Sequence, residues 1–164
     1  MSPPVAIDES EDGVKYLRNV GVAALALVVC LSACAGAWGE GPFDNDDAQD
    51  WLAECSRGDA SVSQAIETVL RPGYLEIDVG SAAVAAAEVV AIANGKGTAA
   101  THAGAAPCLA KSHAADVRAL APRARQALAR VSDPKFSELA QSWADGKANR
   151  WAEHITQLAM RLQR

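Results

Sequence analysis

Residues Val79 to Ala93, VGSAAVAAAEVVAIA, are apolar on nearly every side of a helix and hold one charge, Glu88. A helix without a polar face has to be covered by other elements. The stretch therefore predicts the buried central helix of an all-α domain, closed by Asn94-Gly95. Glu88 is the exception to be explained. Ser81, Ala85 and Glu88 can share one narrow stripe, which is expected to face solvent. A buried Glu88 would instead need a partner or a raised pKa. An Arg or a Trp N–H beside it would make it structural, whereas Asp46 or Asp50 beside it would make it a site candidate.

The flanking sequence is helical in period as well. Ala48, Trp51, Leu52 and Cys55 follow an i, i+3, i+4, i+7 pattern, with N-caps available in Asp44-Asn45-Asp46-Asp47 and a stop at Arg57-Gly58. Val62, Ala65, Ile66, Val69 and Leu70 make a second face, capped by Ser61 or Asp59 and ended by Arg71-Pro72-Gly73. Gly95 to Pro107, GKGTAATHAGAAP, reads as a loop. Helices are expected at about 109–120, 123–131, 136–145 and 148–163. The last carries a stripe of Trp151, Ile155, Leu158, Ala159 and Leu162. Strand signals are lacking, apart from a weak one at Tyr74 to Val79. The fold expected is an all-α single-domain bundle or array of about six helices over 34–164.

The N-terminal part has a different character. Val20 to Leu31 is uncharged, with Lys15 and Arg18 before it and no further charge until Glu40. About a dozen apolar residues after a basic flank fit an export signal; a spanning helix needs roughly 20. The run closes in Leu31-Ser32-Ala33-Cys34, which resembles a bacterial lipobox. That resemblance implies a lipoprotein signal peptide over 1–33 and acyl chains, palmitate among them, on Cys34. The acidic group Asp8, Glu9, Glu11 and Asp12 is unusual in a signal and points to a true start at Val14. Ala35, rather than Asp, after Cys34 directs a lipoprotein toward the outer membrane if the host is Gram-negative. Two other readings stay open: an uncleaved anchor over Asn19 to Gly39, and a mis-called extension of a cytoplasmic protein. Of four Cys, Cys30 would leave with the signal and Cys34 would be lipidated. Cys55 and Cys108 remain, and an oxidising compartment permits a bridge between them. A free Cys55 packed as a small hydrophobe is the alternative.

Gly36 to Leu52 reads GAWGEGPFDNDDAQDWL. The pattern Gly36, Trp38, Gly39, Gly41, Phe43, Asp46, Ala48, Asp50 and Trp51 closely resembles the opening of a bacterial family catalogued as domain of unknown function 4259. Ala85 to Gly95, Ala127 to Val131, Ser137 to Leu139, Trp143 and Trp151 are similar to it as well. The resemblance implies a small helical domain with no known activity. Physically, the glycines allow a close turn, Trp38 and Phe43 can clasp the first helix, and Asp44, Asp46, Asp47 and Asp50 ring its start. A capped helix under an aromatic clasp explains the motif; a polar cleft for a cationic partner is the functional alternative. DNDD lacks the glycine and closing glutamate of an EF-hand loop.

Charge and spacing narrow the function. With 15 basic against 20 acidic residues the net charge is −5, which suits neither a nucleic-acid partner nor a phosphate-tracking surface. Gly95-Lys96-Gly97-Thr98 lacks the first glycine of a phosphate loop. His102, Cys108 and His113 do not have zinc spacing, so no metal and no cofactor is expected. No catalytic residue is assigned. The expectation is a non-enzymatic binding module, lipid-anchored through Cys34 and meeting a protein or envelope partner. An immunity-type or accessory protein binding a toxin or enzyme is a variant of it. An enzyme using Glu88 with Asp46 and Asp50 is the alternative of a different class.

Overall fold

The computed structural model describes residues 39–144 and 150–163. The signal-like segment, the candidate start at Val14, Cys34 and Trp38 lie outside the described residues. Among those described, eight helices follow in order: α1 Asp46–Arg57, α2 Val62–Val69, α3 Ile77–Ala93, α4 Ala99–Lys111, α5 Ala114–Ala119, α6 Ala121–Val131, α7 Glu138–Ala144 and α8 Arg150–Arg161. Extended pairing among them is limited to one parallel bridge, Leu75 with Ser137. There the Leu75 N–H donates to the Phe136 carbonyl at 2.7 Å and the Glu138 N–H to the Leu75 carbonyl at 3.0 Å. No described helix is long and apolar enough to cross a membrane.

α3 is the axis of the domain. Its buried residues run almost without interruption from Gly80 to Ile92, and it packs against each of the other seven helices. The sequence explains how one helix accepts so many neighbours. Alanines at 83, 85, 86, 87 and 91 bring backbones close on every side, and Val84, Val89, Val90 and Ile92 fill the spaces between. The neighbours contribute their own apolar stripes: Ile66 and Val69 from α2, Leu128 and Val131 from α6, Ile155 and Leu158 from α8.

Local signals account for most helix ends. Asn45 caps α1, its Oδ1 accepting the Ala48 N–H at 2.8 Å. Gly58 ends α1 at φ 88°, a left-handed conformation that glycine adopts without a Cβ clash. Ser61, rather than Asp59, caps α2. The buried face of α1 is Ala48, Trp51, Leu52 and Cys55, the set its period picks out. On the surface, Arg123 of α6 forks onto Glu67 of α2 and holds that carboxyl below its ordinary range.

The 95–107 segment departs from expectation. It holds most of α4 instead of a loop. Thr98 and Thr101 form a reciprocal capping box that starts the helix. The small residues that read as loop are good helix formers where alanine dominates. Ala105 and Cys108 are the buried positions, and Gly104 lies against the Phe43 ring, which a Cβ there would meet at 3.6 Å. Pro107 sits inside the helix, so one backbone bond is forgone. The expected 109–120 helix is split, because Ser112 is extended at φ −107° and ψ 149°. Two helices, α4 and α5, thus stand where one was expected, and the described residues hold eight helices instead of about six.

A disulfide joins Cys55 of α1 to Cys108 of α4 across 53 residues of chain. Closing a loop of that length restricts the unfolded chain by about 4 kcal/mol in the entropic account. Reduction, or the pair Cys55→Ala and Cys108→Ala, should lower the urea-unfolding free energy by about 2–4 kcal/mol. Superimposable melts with and without reductant would contradict this.

Candidate functional site

The motif loop is built around Asp44. The Gly41 N–H donates to Asp44 Oδ2 at 3.0 Å, the Gly39 N–H to the Asp44 carbonyl at 3.3 Å, and the Asp44 N–H to the Gly41 carbonyl at 3.2 Å. A Cβ on either glycine would fall 2.5 Å from Asp44 Oδ2, so the carboxylate fits only because both positions lack a side chain. Asp44 therefore closes the loop. Phe43 is buried in the core, and Gln49 donates to its carbonyl at 2.7 Å. The loop is also tied to α8. His154 Nδ1 lies 3.0 Å from the Glu40 carbonyl. A carbonyl only accepts, so this nitrogen carries the proton. Arg150 Nε reaches Glu40 Oε2 at 3.1 Å.

Glu88 is fully buried, at 0% exposure, as are Ser81 and Ala85 beside it. This overturns the expected exposed stripe. Seven helices pack on α3, and between Gly80 and Ile92 only Ala82 keeps part of its surface open to water. The carboxylate is met instead by Arg161 at the end of α8. Nη1 donates to Oε1 at 2.9 Å and Nη2 to Oε2 at 2.5 Å, and Nη1 also donates to the Lys96 carbonyl at 2.8 Å. The partner is an arginine, and neither Asp46 nor Asp50 approaches Glu88 in any hydrogen bond or ion pair of the described residues.

Beside this pair is an open cavity of about 640 Å³, bordered by the motif loop, α3, the 96–101 segment and α8. A second hollow, a groove of about 430 Å³, runs along α1 and α2 to the start of α3. Asp47, Asp50, Glu54, Asp59 and Asp78 line it, with no Lys or Arg among its lining residues. Arg57 outside the groove pairs with Asp59 at 2.9 Å. Burial pushes the Asp47 carboxyl above its ordinary value, and the negative charges of Asp78, Asp46 and Asp50 push it further. The two hollows share no residue.

The family model described as Domain of unknown function (DUF4259) matches residues 36–154, nearly the whole stretch from the motif loop to α8. The chain belongs to this family. No curated protein and no solved structure matches it.

Within this DUF4259 domain, the candidate aspartates separate into three places, all apart from Glu88. Asp44 is internal to the loop; Asp46 is exposed on the first turn of α1; Asp47 and Asp50 face the groove. Trp143 and Trp151 stack with centroids 6.2 Å apart and planes 4° from parallel, joining α7 to α8. Cys108 is in the disulfide, and no group of three His, Cys, Asp or Glu among the described residues could hold a metal ion. Sequence reasoning missed Arg161, Lys96, His154 and Glu40. The one available signal was electrostatic: a lone carboxylate in an apolar helix requires a cation, and Arg161 adjoins the apolar stripe of α8.

The folded chain binds the Asp47 proton more tightly than the unfolded chain does. The ionised group therefore destabilises above its raised pKa, and that penalty disappears as pH falls through it. Asp78→Asn should move the Asp47 carboxyl back toward its ordinary value, read by carboxyl NMR titration. An Asp47 titration unchanged by that substitution would contradict the like-charge account.

Proposed function

We propose that the chain is exported, takes lipid on Cys34, and carries its helical domain at the cell envelope as a non-enzymatic binding module for a basic partner. The observation that carries the binding half is the acidic groove: five carboxylates line it with no Lys or Arg among the lining residues, and only Asp59 is paired, with Arg57 outside. The Asp47 carboxyl is raised first by burial and then by the like charges of Asp78, Asp46 and Asp50, and like charges brought together cost free energy. A Lys- or Arg-rich segment of a partner would relieve that repulsion and gain charge-assisted hydrogen bonds. A toxin or enzyme of opposite charge is one such partner, and a basic segment of an envelope protein is another. An acid–base enzyme is disfavoured, because Glu88 is closed by Arg161 while Asp47 and Asp50 belong to a different hollow.

Two features support the address. The Leu31-Ser32-Ala33-Cys34 sequence follows an uncharged run of export-signal length. The Cys55–Cys108 disulfide is of a kind that persists in oxidising compartments. Two or more acyl chains would make the anchor stable.

Both halves are open to test. Mass spectrometry of the protein from host membranes should find an N-terminal peptide beginning at acylated Cys34. A soluble chain with its leader attached would overturn the anchoring. Titration with a short Lys/Arg-rich peptide should shift the NMR signals of α1 and α2 around the groove, and the shifts should fade with added salt. Asp50→Lys with Glu54→Lys should weaken the binding at least about tenfold. Shifts scattered away from the groove, or insensitive to salt, would overturn that reading.

A further inference from the structure

The cavity beside Glu88 differs from the acidic groove in chemistry. Its walls are largely apolar, with Val84 of α3 and Ile155, Leu158 and Met160 of α8 contributing to them. Its volume, about 640 Å³, falls within the range of small-molecule sites. Met160 lines it and remains 48% exposed, an adaptable apolar side chain with part of its surface in water.

Its charges are almost all taken. Glu88 is matched by Arg161 and Glu40 by Arg150. Lys96 makes no ion pair among the described residues, and its exposed side chain stands at the cavity. Arg161 adds a second cationic edge. Three hydrogen bonds fix its guanidinium, yet Nε–H and one Nη2–H take no partner among the described residues. A guanidinium held in this way has little rotamer freedom left to lose on meeting an anion. The unmatched charge at this cavity is therefore positive, and it borders an apolar space.

We infer that this cavity binds a free amphipathic carboxylic acid, with its hydrocarbon chain against Val84, Ile155, Leu158 and Met160 and its carboxylate at Lys96 and Arg161. The site is independent of the acidic groove and of the anchoring at Cys34. The ion pair at its floor orients Arg161 and keeps Glu88 from repelling the incoming carboxylate. Apolar burial supplies affinity that grows with chain length, and the charged end selects acid over alcohol.

Isothermal titration of the purified full chain tests this with dodecanoate, 1-dodecanol and butanoate. Dodecanoate should saturate one site below about 100 µM. Dodecanol should bind at least about tenfold more weakly, because it cannot use the cations, and butanoate hardly at all. Lys96→Ala removes an exposed ammonium but keeps the backbone carbonyl that holds Arg161; it should weaken dodecanoate about tenfold. Gln157→Trp, at an exposed position lining the cavity, should abolish binding while leaving the helical circular dichroism unchanged. No binding of dodecanoate up to about 1 mM, equal affinity for the alcohol, or full binding by Gln157→Trp would overturn the inference. Binding to phosphatidylglycerol vesicles without binding of dodecanoate would overturn it in favour of a lipid surface.

Discussion

A central helix with no polar side sets the terms for everything around it. α3 cannot turn any face to water, so the other helices have to enclose it, and all seven do. Enclosure then creates a second requirement. The one buried carboxylate on α3, at Glu88, is removed from water with the core of the helix, and an isolated buried charge is strongly unfavourable. Arg161 answers it from the last turn of α8. The position of α8 follows in part from that demand, and α8 in turn holds the motif loop through His154 and Arg150. The cavity is the space left among these three parts.

The ion pair is not an obvious source of stability. Removing two charges from water offsets much of their attraction, and an apolar pair of similar volume often serves as well. Arg161 keeps 30% of its side-chain surface exposed, which softens the penalty on its side alone. What the pair does supply is a fixed geometry. A carboxylate on α3, a guanidinium on α8 and a carbonyl at Lys96 define one arrangement of three segments. An apolar contact would permit several. The acidic groove shows the opposite economy. Its carboxylates crowd together, and Asp59 alone among them is met by a cation, Arg57.

Much of the fold is legible in the residues. The period of α1, the stop at Gly58, the cap at Ser61 and the all-apolar run of α3 are local features, and local physics decides them. α4 is not legible in the same way. The glycines, threonines and proline of 95–107 satisfy turn chemistry as well as helix chemistry, and the choice falls to the Thr98–Thr101 box and to burial of Ala105 and Cys108 against distant parts of the chain. Glu88 shows the same limit at the site. Its spacing with Ser81 and Ala85 is compatible with an exposed stripe, and only the closing of helices on every side of α3 excludes it. The role of Asp44 was hidden for a related reason: nothing in the order of residues says that a carboxylate fills the space two missing side chains leave at Gly39 and Gly41.

The dependence of α8 on the buried carboxylate can be measured by a double-mutant cycle in urea. Arg161→Leu alone should cost about 3 kcal/mol, since it strands Glu88 without a cation. Glu88→Leu with Arg161→Leu should recover most of that loss, giving a coupling of about 2 kcal/mol or more. Single substitutions that each cost under about 0.5 kcal/mol and simply add would contradict the account.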